Sequence, residues 1–275
     1  MNIQVEGIEQ RYADRPILRG VTFHVRKGET LVIMGGSGCG KSTLLRILSG
    51  IERPVAGRVL FDGEDIVSLS EAGLDAFRKR WGFCFQGGAL FGSQTVGENI
   101  AYPIREHTEL GETVIDIMVK MKLDMVGLTG FGDLHPSQIS GGMAKRVALA
   151  RAMALDPEVL FMDEPSAGLD PVMSAAIDQL ILDLTKKTRI TTILVTHEMK
   201  SAFTVADRMI LLHEGRVVTE GTPDEIRRTT DPLVRQFVDG MADGPIPLRR
   251  NRDEYLKSLT HAPSISSPSR KDMED

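Results

Sequence analysis

The sequence predicts an α/β fold in which a largely parallel sheet is interrupted by a helical insertion. Two observations carry this prediction. Short, continuously apolar runs such as 30–34 and 159–162 have the composition of strands buried on both faces. Helical signals dominate from about residue 96 to 155, and strand and helix alternate again from residue 159. Together these patterns indicate one core of strands and helices into which a helical segment is inserted.

The N-terminal half is expected to begin with antiparallel β-structure. Ile3, Val5 and Ile8 alternate with polar residues, and the apolar–polar segment 21–25 follows a turn-rich stretch at 13–16. The next expected elements are a buried strand at 30–34, a helix from about 41 to 49, and strands at 57–61 and 82–85. A glycine-rich turn therefore lies directly between a buried strand and a helix.

The C-terminal half contains the insertion and the rest of the core. Within the insertion a helix is expected at 112–122, with Val114, Ile115, Met118 and Met121 on one face. The remaining core elements are expected to be a strand at 159–163, a helix at 171–187, and strands at 191–196 and 208–213.

Length and composition indicate one large domain followed by a tail. A chain of 275 residues with 41% hydrophobic residues can bury a full core. Asp231–Pro232 has the composition of a helix start, and the apolar stripe after it ends at the glycine–proline break 244–247. We expect one domain over 1–242, with the helical subdomain inserted at about 89–155. The tail over 243–275 is expected to be extended and then disordered.

Charge and composition exclude several classes of protein. A net charge of −5 argues against a broad nucleic-acid-binding surface, and no apolar run reaches the ~18 residues of a membrane span. The N-terminus lacks the pattern of a secretory signal, so a cytoplasmic chain is expected. Two cysteines indicate no disulfide framework, and His197–Glu198 does not continue into a zinc-protease motif because position 201 is Ser.

The segment Gly35–Ser42 satisfies the phosphate-binding pattern G-x-x-x-x-G-K-[ST] between a buried strand and a helix. Its glycines allow backbone N–H groups to converge on phosphate oxygens, and the helix presents its positive end to the same charge. Lys41 can reach the β- and γ-phosphates, and the Ser42 hydroxyl can coordinate Mg²⁺. The alternatives are a tight glycine turn with an incidental lysine, or a dinucleotide-binding turn, which does not require Lys–Ser.

Two acids end the buried run at 159–162. Asp163 and Glu164 fall at the carboxyl end of a predicted strand, where ligand-facing residues of open α/β sheets lie. We expect Asp163 to hold the Mg²⁺ hydration shell and Glu164 to polarise the attacking water. In isolation the same residues could be a strand that ends in a polar turn.

Ser140–Gly141–Gly142 precedes a predicted helix, and Ser140 could be no more than an N-cap. With Ile139 and Met143, however, this segment resembles LSGGQ, the signature of the ABC ATPase family. The resemblance runs from about residue 3 to 221 and implies a P-loop ATPase core with an N-terminal antiparallel β subdomain, an inserted helical subdomain and a C-terminal helical tail. It also implies a pair of subunits, in which the signature of one covers the γ-phosphate bound by the other.

The same resemblance implies roles for further residues. Tyr12 corresponds to the aromatic residue that stacks on adenine, and Gln86 to a glutamine that contacts Mg²⁺ and the attacking water. Asp170 lies in the loop that communicates across the dimer, although it is also a good helix cap before Pro171. His197 corresponds to the switch histidine at the γ-phosphate.

The expected site is therefore as follows. The catalytic residues are Glu164, His197 and Gln86, and the metal-binding residues are Ser42, Gln86 and Asp163. The ATP-binding residues are Tyr12, Gly35, Gly36, Ser37, Gly38, Cys39, Gly40, Lys41, Ser42, Thr43, Ser140, Gly141, Gly142 and Asp170. ATP and Mg²⁺ are the expected cofactors.

One departure from the family signature is informative. Met143 replaces the usual glutamine, and a thioether cannot supply the hydrogen bonds of an amide. Methionine at this position is typical of the lipid-handling Mla/Mce subgroup of ABC ATPases. Three further stretches, 85–91, 101–108 and 234–245, are similar to the same subgroup, and the last two lie outside the catalytic motifs.

The subgroup resemblance implies a motor that moves phospholipid between the inner and outer membranes from the cytoplasmic face of the inner membrane. The implied partners are a second copy of the chain, a membrane permease, a lipid-binding Mce-domain subunit and a small STAS-domain regulator, with no nucleic acid. The tail is expected to reach the other ATPase. The alternatives are a transporter ATPase for a polar amino acid or a lipoprotein, or an ABC ATPase outside transport. The last class is disfavoured because the chain has neither a long coiled-coil insertion nor two fused cassettes.

Overall fold

The computed structural model describes residues 1–246, and these residues form an α/β fold, as predicted. In chain order the elements are β1 (Ile3–Tyr12), β2 (Arg15–Val25), β3 (Thr30–Met34), α1 (Lys41–Leu48), β4 (Ala56–Phe61), β5 (Glu64–Asp65), α2 (Glu71–Arg78), β6 (Trp81–Cys84), α3 (Val96–His107), α4 (Glu112–Met125), α5 (Gly141–Ala152), β7 (Val159–Asp163), α6 (Pro171–Thr188), β8 (Thr191–Thr196), α7 (Met199–Val205), β9 (Arg208–His213), β10 (Arg216–Gly221), α8 (Pro223–Arg228) and α9 (Pro232–Asp239). A short 3-10 helix at Pro136–Gln138 precedes α5.

The larger sheet has six strands in the order β10-β9-β3-β8-β7-β6. The five strands from β9 to β6 are parallel, and β10 joins one edge antiparallel. β3 and β8 are completely buried, as expected for continuously apolar strands of a parallel sheet. Met34 pairs with Thr196, and Asp163 pairs with Val195, so the carboxyl ends of β3, β8 and β7 lie at one edge.

The smaller sheet is antiparallel, with strand order β2-β1-β4-β5. Its first hairpin turns at Ala13, which has a φ of 50°, and Tyr12 pairs with Arg15. The second strand therefore begins six residues before the segment 21–25 that the alternating pattern identified. The missing residues were not recognised because the β2 burial pattern alternates regularly only in its second half.

One apolar core joins the two sheets. Trp81 at the start of β6 is its clearest link, because its ring contacts aromatic residues from three other elements. Its centroid lies 5.4 Å from Phe61 of β4, 5.0 Å from Phe77 of α2 and 5.9 Å from Phe161 of β7. Aromatic pairs of this kind contribute about 0.5–1.5 kcal/mol each beyond area burial. The antiparallel sheet is thus held against the parallel sheet that contains the site.

The helical insertion has its own apolar cluster, formed by α3, α4 and α5. The apolar face predicted for α4 is buried only in part. Ile115 is buried and Met118 packs against the cluster, but Val114 and Met121 are 45% and 64% exposed. The buried face also includes Val119. Apolar residues occur around most of this helix, so periodicity alone does not identify the face that the neighbouring helices cover.

The chain divides into two compact units, Met1–Thr229 and Thr230–Asp275. In the second unit the Asp231 side chain accepts hydrogen bonds from the first-turn N–H groups of α9, which confirms the predicted helix start. The helix ends at Gly240, with a φ of 65°, and not at the break 244–247. The Gln236 amide bonds both backbone groups of Ile246. The domain limits 1–242 and 243–275 stay a prediction, and from residue 247 onward the predicted tail lies outside the described residues.

Within residues 1–246 no helix has both the length and the apolar character that crossing a bilayer requires.

The close contact of β6 with α5 generates a stability prediction. A Cβ atom at Gly82 would lie 2.0 Å from the Ala152 carbonyl oxygen, whereas a Cβ atom at Gly87 would meet nothing within 4 Å. We expect Gly82→Ala to lower the free energy of unfolding by about 3 kcal/mol, because backbone must move to accommodate the methyl group. Gly87→Ala is the matched control, with an expected change below about 1 kcal/mol. Urea denaturation measures both, and equal effects would contradict the packing described for Gly82.

Candidate functional site

The loop between β3 and α1 is closely packed on its inner side. A Cβ atom at Gly35 would lie 2.3 Å from the Leu212 carbonyl oxygen of β9, so the backbone approaches that strand as only glycine allows. Gly40, with a φ of 108°, is the N-cap of α1, and a Cβ atom there would lie 2.7 Å from Leu18. These two glycines hold the loop in a compact curve over the end of β3.

Lys41 folds back over this loop. Its Nζ donates hydrogen bonds to the carbonyl oxygens of Gly35, at 2.8 Å, and Gly36, at 3.1 Å. The N-cap Gly40 supplies no side-chain hydrogen bond to the first turn of α1. The first-turn N–H groups of a helix have no intrahelical partners, so this end of α1 suits an anion. The geometry fits a phosphate cradle better than an incidental glycine turn.

Ser42 and Asp163 meet across the strand ends. The Ser42 hydroxyl donates to Asp163 Oδ1 at 3.1 Å. Burial raises the pKa of Asp163, the Ser42 hydrogen bond lowers it, and the neighbouring Glu164 raises it further. A hydroxyl beside a carboxylate is the oxygen donor set that Mg²⁺ prefers, so these residues fit that ion. The described residues contain no group of three or more His, Cys, Asp or Glu that could hold a metal.

Glu164 connects the ends of β7 and β8. Its side chain is almost fully buried, and its Oε2 accepts hydrogen bonds from the Thr196 hydroxyl, at 3.1 Å, and the His197 N–H, at 3.4 Å. Its Oε1 lies 2.8 Å from Nδ1 of the exposed His197 ring. The backbone of Glu164 has a φ of 50°, in the left-handed region that non-glycine residues rarely adopt. Such strain is concentrated at functional sites.

Gln86 follows β6 on an exposed loop that α5 holds in place. Its backbone oxygen accepts a hydrogen bond from the Lys145 ammonium group. The Arg151 guanidinium donates to the carbonyl oxygens of Gly88, at 2.7 Å, and Ala89, at 2.8 Å. The helical insertion is therefore bonded to the loop that contains the predicted catalytic glutamine.

Ser140 and Asp170 both act as helix caps. Ser140 accepts the N–H of Met143 at 3.3 Å, and Asp170 accepts the N–H groups of Val172 and Met173, each at 3.0 Å. Both capping interpretations of these residues are thus confirmed. Within residues 1–246 no hydrogen bond joins either segment to the loop 35–43 of the same chain.

Tyr12 lies opposite Arg15 across the hairpin, and Arg15 lines a cavity of about 240 Å³. The cavity is lined by Arg15, Ile17, Gly38, Gly40, Lys41, Ser42 and Thr43. The sequence-based prediction missed Arg15, an exposed cation beside the phosphate cradle. The sequence signal for Arg15 was its position directly across the turn from Tyr12. That signal could be recognised only if β2 was predicted to begin before residue 21.

A larger cavity, of about 910 Å³, lies on another face of the first unit. It is lined by aromatic residues of β6 and the insertion together with basic residues: Arg78, Trp81, Phe83, Phe85, Phe91, Tyr102 and Arg151. Phe85, Phe91 and Tyr102 are each at least 40% exposed. This groove contains none of the phosphate-binding groups, so its size does not make it the nucleotide site.

All of the sequence-predicted residues except Gln86, which lies on the loop after β6, fall into two sets. Residues 35–43, Asp163, Glu164 and His197 lie at one edge of the parallel sheet, and Tyr12 lies beside them. Ser140, Gly141, Gly142 and Asp170 form helix starts elsewhere. A phosphate loop with a facing acidic pair, on this sheet and with this insertion, defines a P-loop nucleoside triphosphatase.

Comparison with known proteins identifies the family. A family model described as "ABC transporter" matches residues 18–167. The "Intermembrane phospholipid transport system ATP-binding protein MlaF" of Haemophilus influenzae is 42% identical over 94% of this chain and 97% of its own length. The "Probable ribonucleotide transport ATP-binding protein mkl" of Mycobacterium leprae is 42% identical over 92% of this chain and 73% of its own.

A solved structure is also similar. The "Dimeric structure of a post-hydrolysis state of the ATP-binding cassette MJ0796 bound to ADP and Pi" has a TM-score of 0.74 at 29% identity, covering 80% of this chain and 98% of that one. The chain belongs to the ABC transporter family. It is an ATP-binding, ATP-hydrolysing cassette of that family, as the motifs predicted.

Burial of the two cysteines generates a pH prediction. Burial raises the pKa of Cys39 and raises the pKa of Cys84 to about 11. In Cys39→Ser, alkylation of the folded protein by iodoacetamide reports Cys84 alone. Below its pKa the thiolate fraction rises tenfold per pH unit, so the rate should increase about 100-fold from pH 7.5 to 9.5. Urea-unfolded protein is the control, because its thiol titrates near pH 8.5. Rapid, pH-independent alkylation of the folded chain would contradict this environment.

Proposed function

We propose that the chain is the ATP-hydrolysing motor of an ABC transporter that moves phospholipid between the inner and outer membranes. The observation that carries the proposal is the end-to-end similarity to the phospholipid transport ATPase of H. influenzae. The matched family model ends at residue 167, whereas this similarity covers 257 residues. The similarity therefore extends beyond the residues that the family model matches.

A second candidate cargo comes from the mycobacterial relative, whose name refers to ribonucleotide transport. Its identity to this chain is the same, 42%, but the chain spans only 73% of its length. The full-length match to the phospholipid transport protein therefore favours phospholipid. A polar amino acid or a lipoprotein is the alternative cargo for such a transporter, and an ABC ATPase outside transport is less favoured.

The phosphate groups of ATP are proposed to bind residues 35–43. The loop N–H groups and the positive end of α1 would accept them, and Lys41 would exchange its bonds to Gly35 and Gly36 for phosphate oxygens. Ser42 and Asp163, with Gln86 from the β6 loop, would hold Mg²⁺. Bound there, that ion neutralises the phosphate charge. Tyr12 is proposed to stack on the adenine at the edge of the same cavity.

Glu164 is proposed to accept a proton from the water that attacks the γ-phosphate. Its hydrogen bonds with Thr196 and His197 orient the carboxylate at the strand end. His197 is exposed and adjacent, so its ring can contact the γ-phosphate while Glu164 holds it. Gln86 would help to orient the water. This arrangement supports in-line attack by a positioned water, the chemistry of phosphoryl transfer.

A second copy of the chain is proposed to complete the site. Ser140, Gly141, Gly142 and Asp170 make no hydrogen bond to the phosphate loop of their own chain among the described residues. The similar cassette MJ0796 is dimeric in its post-hydrolysis state with ADP and Pi. In such a pair, the N-terminus of α5 would face the γ-phosphate bound by the partner.

The remaining proposed partners are a membrane permease, a lipid-binding Mce-domain subunit and a small STAS-domain regulator, with the ATPase peripheral to the inner membrane. The aromatic groove of about 910 Å³ suits the permease, because aromatic residues and arginine are enriched at protein interfaces. It borders Ala89 of the loop after Gln86, which Arg151 holds. A segment bound there could therefore affect the hydrolytic site.

Two substitutions test the hydrolytic roles. Glu164→Gln preserves shape but cannot accept a proton, so we expect ATP binding to persist and turnover to fall about 100-fold or more. Lys41→Ala should instead weaken ATP binding by about tenfold or more, because it removes a charged phosphate contact. Equilibrium binding and steady-state phosphate release measure both. Near-normal turnover in Glu164→Gln would remove that residue from its proposed role.

Purification from native membranes tests the transport proposal. A complex containing a permease, an Mce-domain subunit and phospholipid is expected, and a polar amino-acid-binding protein in its place would contradict the proposal. Tyr102→Ala should reduce recovery of the permease about tenfold while the isolated chain still binds ATP. The matched control is Val55→Ser, an exposed apolar residue outside the groove. Equal recovery for both variants would contradict docking in the groove.

A further inference from the structure

A cluster of four side chains beside the phosphate loop is not used by the proposed hydrolytic chemistry. The cluster consists of Gln10 and Tyr12 of β1, Arg46 of α1, and Glu52 of the loop that follows α1. Glu52 is its centre. Its Oε1 accepts hydrogen bonds from the Gln10 amide and, at 2.6 Å, from the Tyr12 hydroxyl, and its Oε2 accepts from Arg46 Nε at 3.2 Å.

The cluster reaches the cavity beside the phosphate loop through Arg46. Arg46 Nη2 lies 3.3 Å from the Tyr12 hydroxyl and 3.3 Å from the hydroxyl of Thr43, which lines the phosphate end of the cavity. Gln10 is buried, and its amide also donates to the Arg53 carbonyl oxygen at 3.3 Å. A continuous set of hydrogen bonds therefore connects the ring of Tyr12 to the phosphate-binding helix.

The charge of Glu52 is maintained in this setting. Partial burial alone would raise its pKa, but the hydrogen bonds from Tyr12, Gln10 and Arg46 outweigh burial and lower the pKa. The carboxylate is therefore ionised at neutral pH, and hydrogen bonds to an ionised acceptor are about twice as strong as neutral ones. Tyr12 is 45% exposed, and the hydrogen bond of its hydroxyl with Glu52 constrains the direction of its ring.

We propose that Glu52 is a positioning residue for nucleotide binding, which holds the Tyr12 ring at the base end of the cavity in fixed register with the phosphate loop. The proposal rests on the proposed stacking of Tyr12 on adenine. Fixing the ring before ATP arrives removes the entropy cost of ordering it on binding. Removal of Glu52 should therefore weaken recognition of the base and leave recognition of the triphosphate intact.

Calorimetric binding of MgATP and of magnesium tripolyphosphate, which has no base, separates these effects. We expect Glu52→Ala to weaken ATP binding about tenfold and tripolyphosphate binding less than about twofold. Tyr12→Phe keeps the ring, removes only the hydroxyl, and should reproduce the selective loss. The double variant should be no weaker than the weaker single variant, because both substitutions break the same bond.

The matched control is Glu6→Ala. It breaks the exposed Glu6–Arg58 ion pair between β1 and β4 of the same sheet and should change neither affinity. Equal weakening of ATP and tripolyphosphate by Glu52→Ala would overturn the proposal, since Glu52 would then support the phosphate loop. If Glu52→Ala left the ATP affinity unchanged while Tyr12→Ala lowered it, the positioning role of Glu52 would also be overturned. The stacking role of Tyr12 would then remain. Unchanged ATP affinity in Tyr12→Ala would reject the stacking role itself.

Discussion

The parallel register of β3, β8 and β7 is the constraint on which the rest of the site depends. Three loops with different chemistry leave these strands at one edge, because Met34, Thr196 and Asp163 are held in register by the ladder. Ser42 of the loop after β3 is thereby brought within hydrogen-bond reach of Asp163, and His197 within reach of Glu164. Backbone ladders buried on both faces supply a rigidity that surface loops alone lack. The antiparallel sheet adds Tyr12 and Arg15, and its position depends on the aromatic contacts of Trp81 with both sheets.

Placing two carboxyl groups side by side at the end of β7 has an electrostatic cost, and the surrounding residues offset part of it. Asp163 and Glu164 are adjacent carboxyl groups near the base of the site, and burial raises the pKa of Asp163. Hydrogen bonds from Ser42 to one acid, and from Thr196 and the His197 backbone to the other, compensate part of the lost hydration. Lys41 satisfies its donors on the loop carbonyls. The polar groups that would act on a triphosphate are therefore paired with protein groups that a ligand can replace.

The parts of the fold that follow from local patterns were predictable, and those that depend on neighbouring elements were not. The bounds of β3 and β7 were predicted because an uninterrupted apolar run leaves little choice of element. The apolar pattern of α4 did not identify its buried residues, since Val114 and Val119 are equally apolar and only packing against α3 and α5 distinguishes them. Helices α2 and α7 were not predicted. Among the candidate site residues Arg15 was missed, Tyr12, Gln86, Asp170 and His197 came only from the family resemblance, and the local motifs at 35–42 and 163–164 were recognised. The Glu52 cluster was not, because it joins residues up to 42 positions apart that are common in surface loops.

The capping roles of Ser140 and Asp170 bear on how the cassette would use its second copy. Each side chain satisfies N–H groups of its own helix, so the position of these segments does not require a nucleotide. At the capped start of α5 Gly141 is exposed, so an anion can approach the helix there, whereas Gly142 is buried beside Met173. A helix start that is already ordered meets a phosphate without the entropy cost of folding around it. The same helix bonds the Gln86 loop through Lys145 and Arg151. Contact of α5 with a phosphate held by the partner would therefore act directly on the loop beside the aromatic groove. Closure of the pair would in this way be physically connected to the surface proposed for the permease.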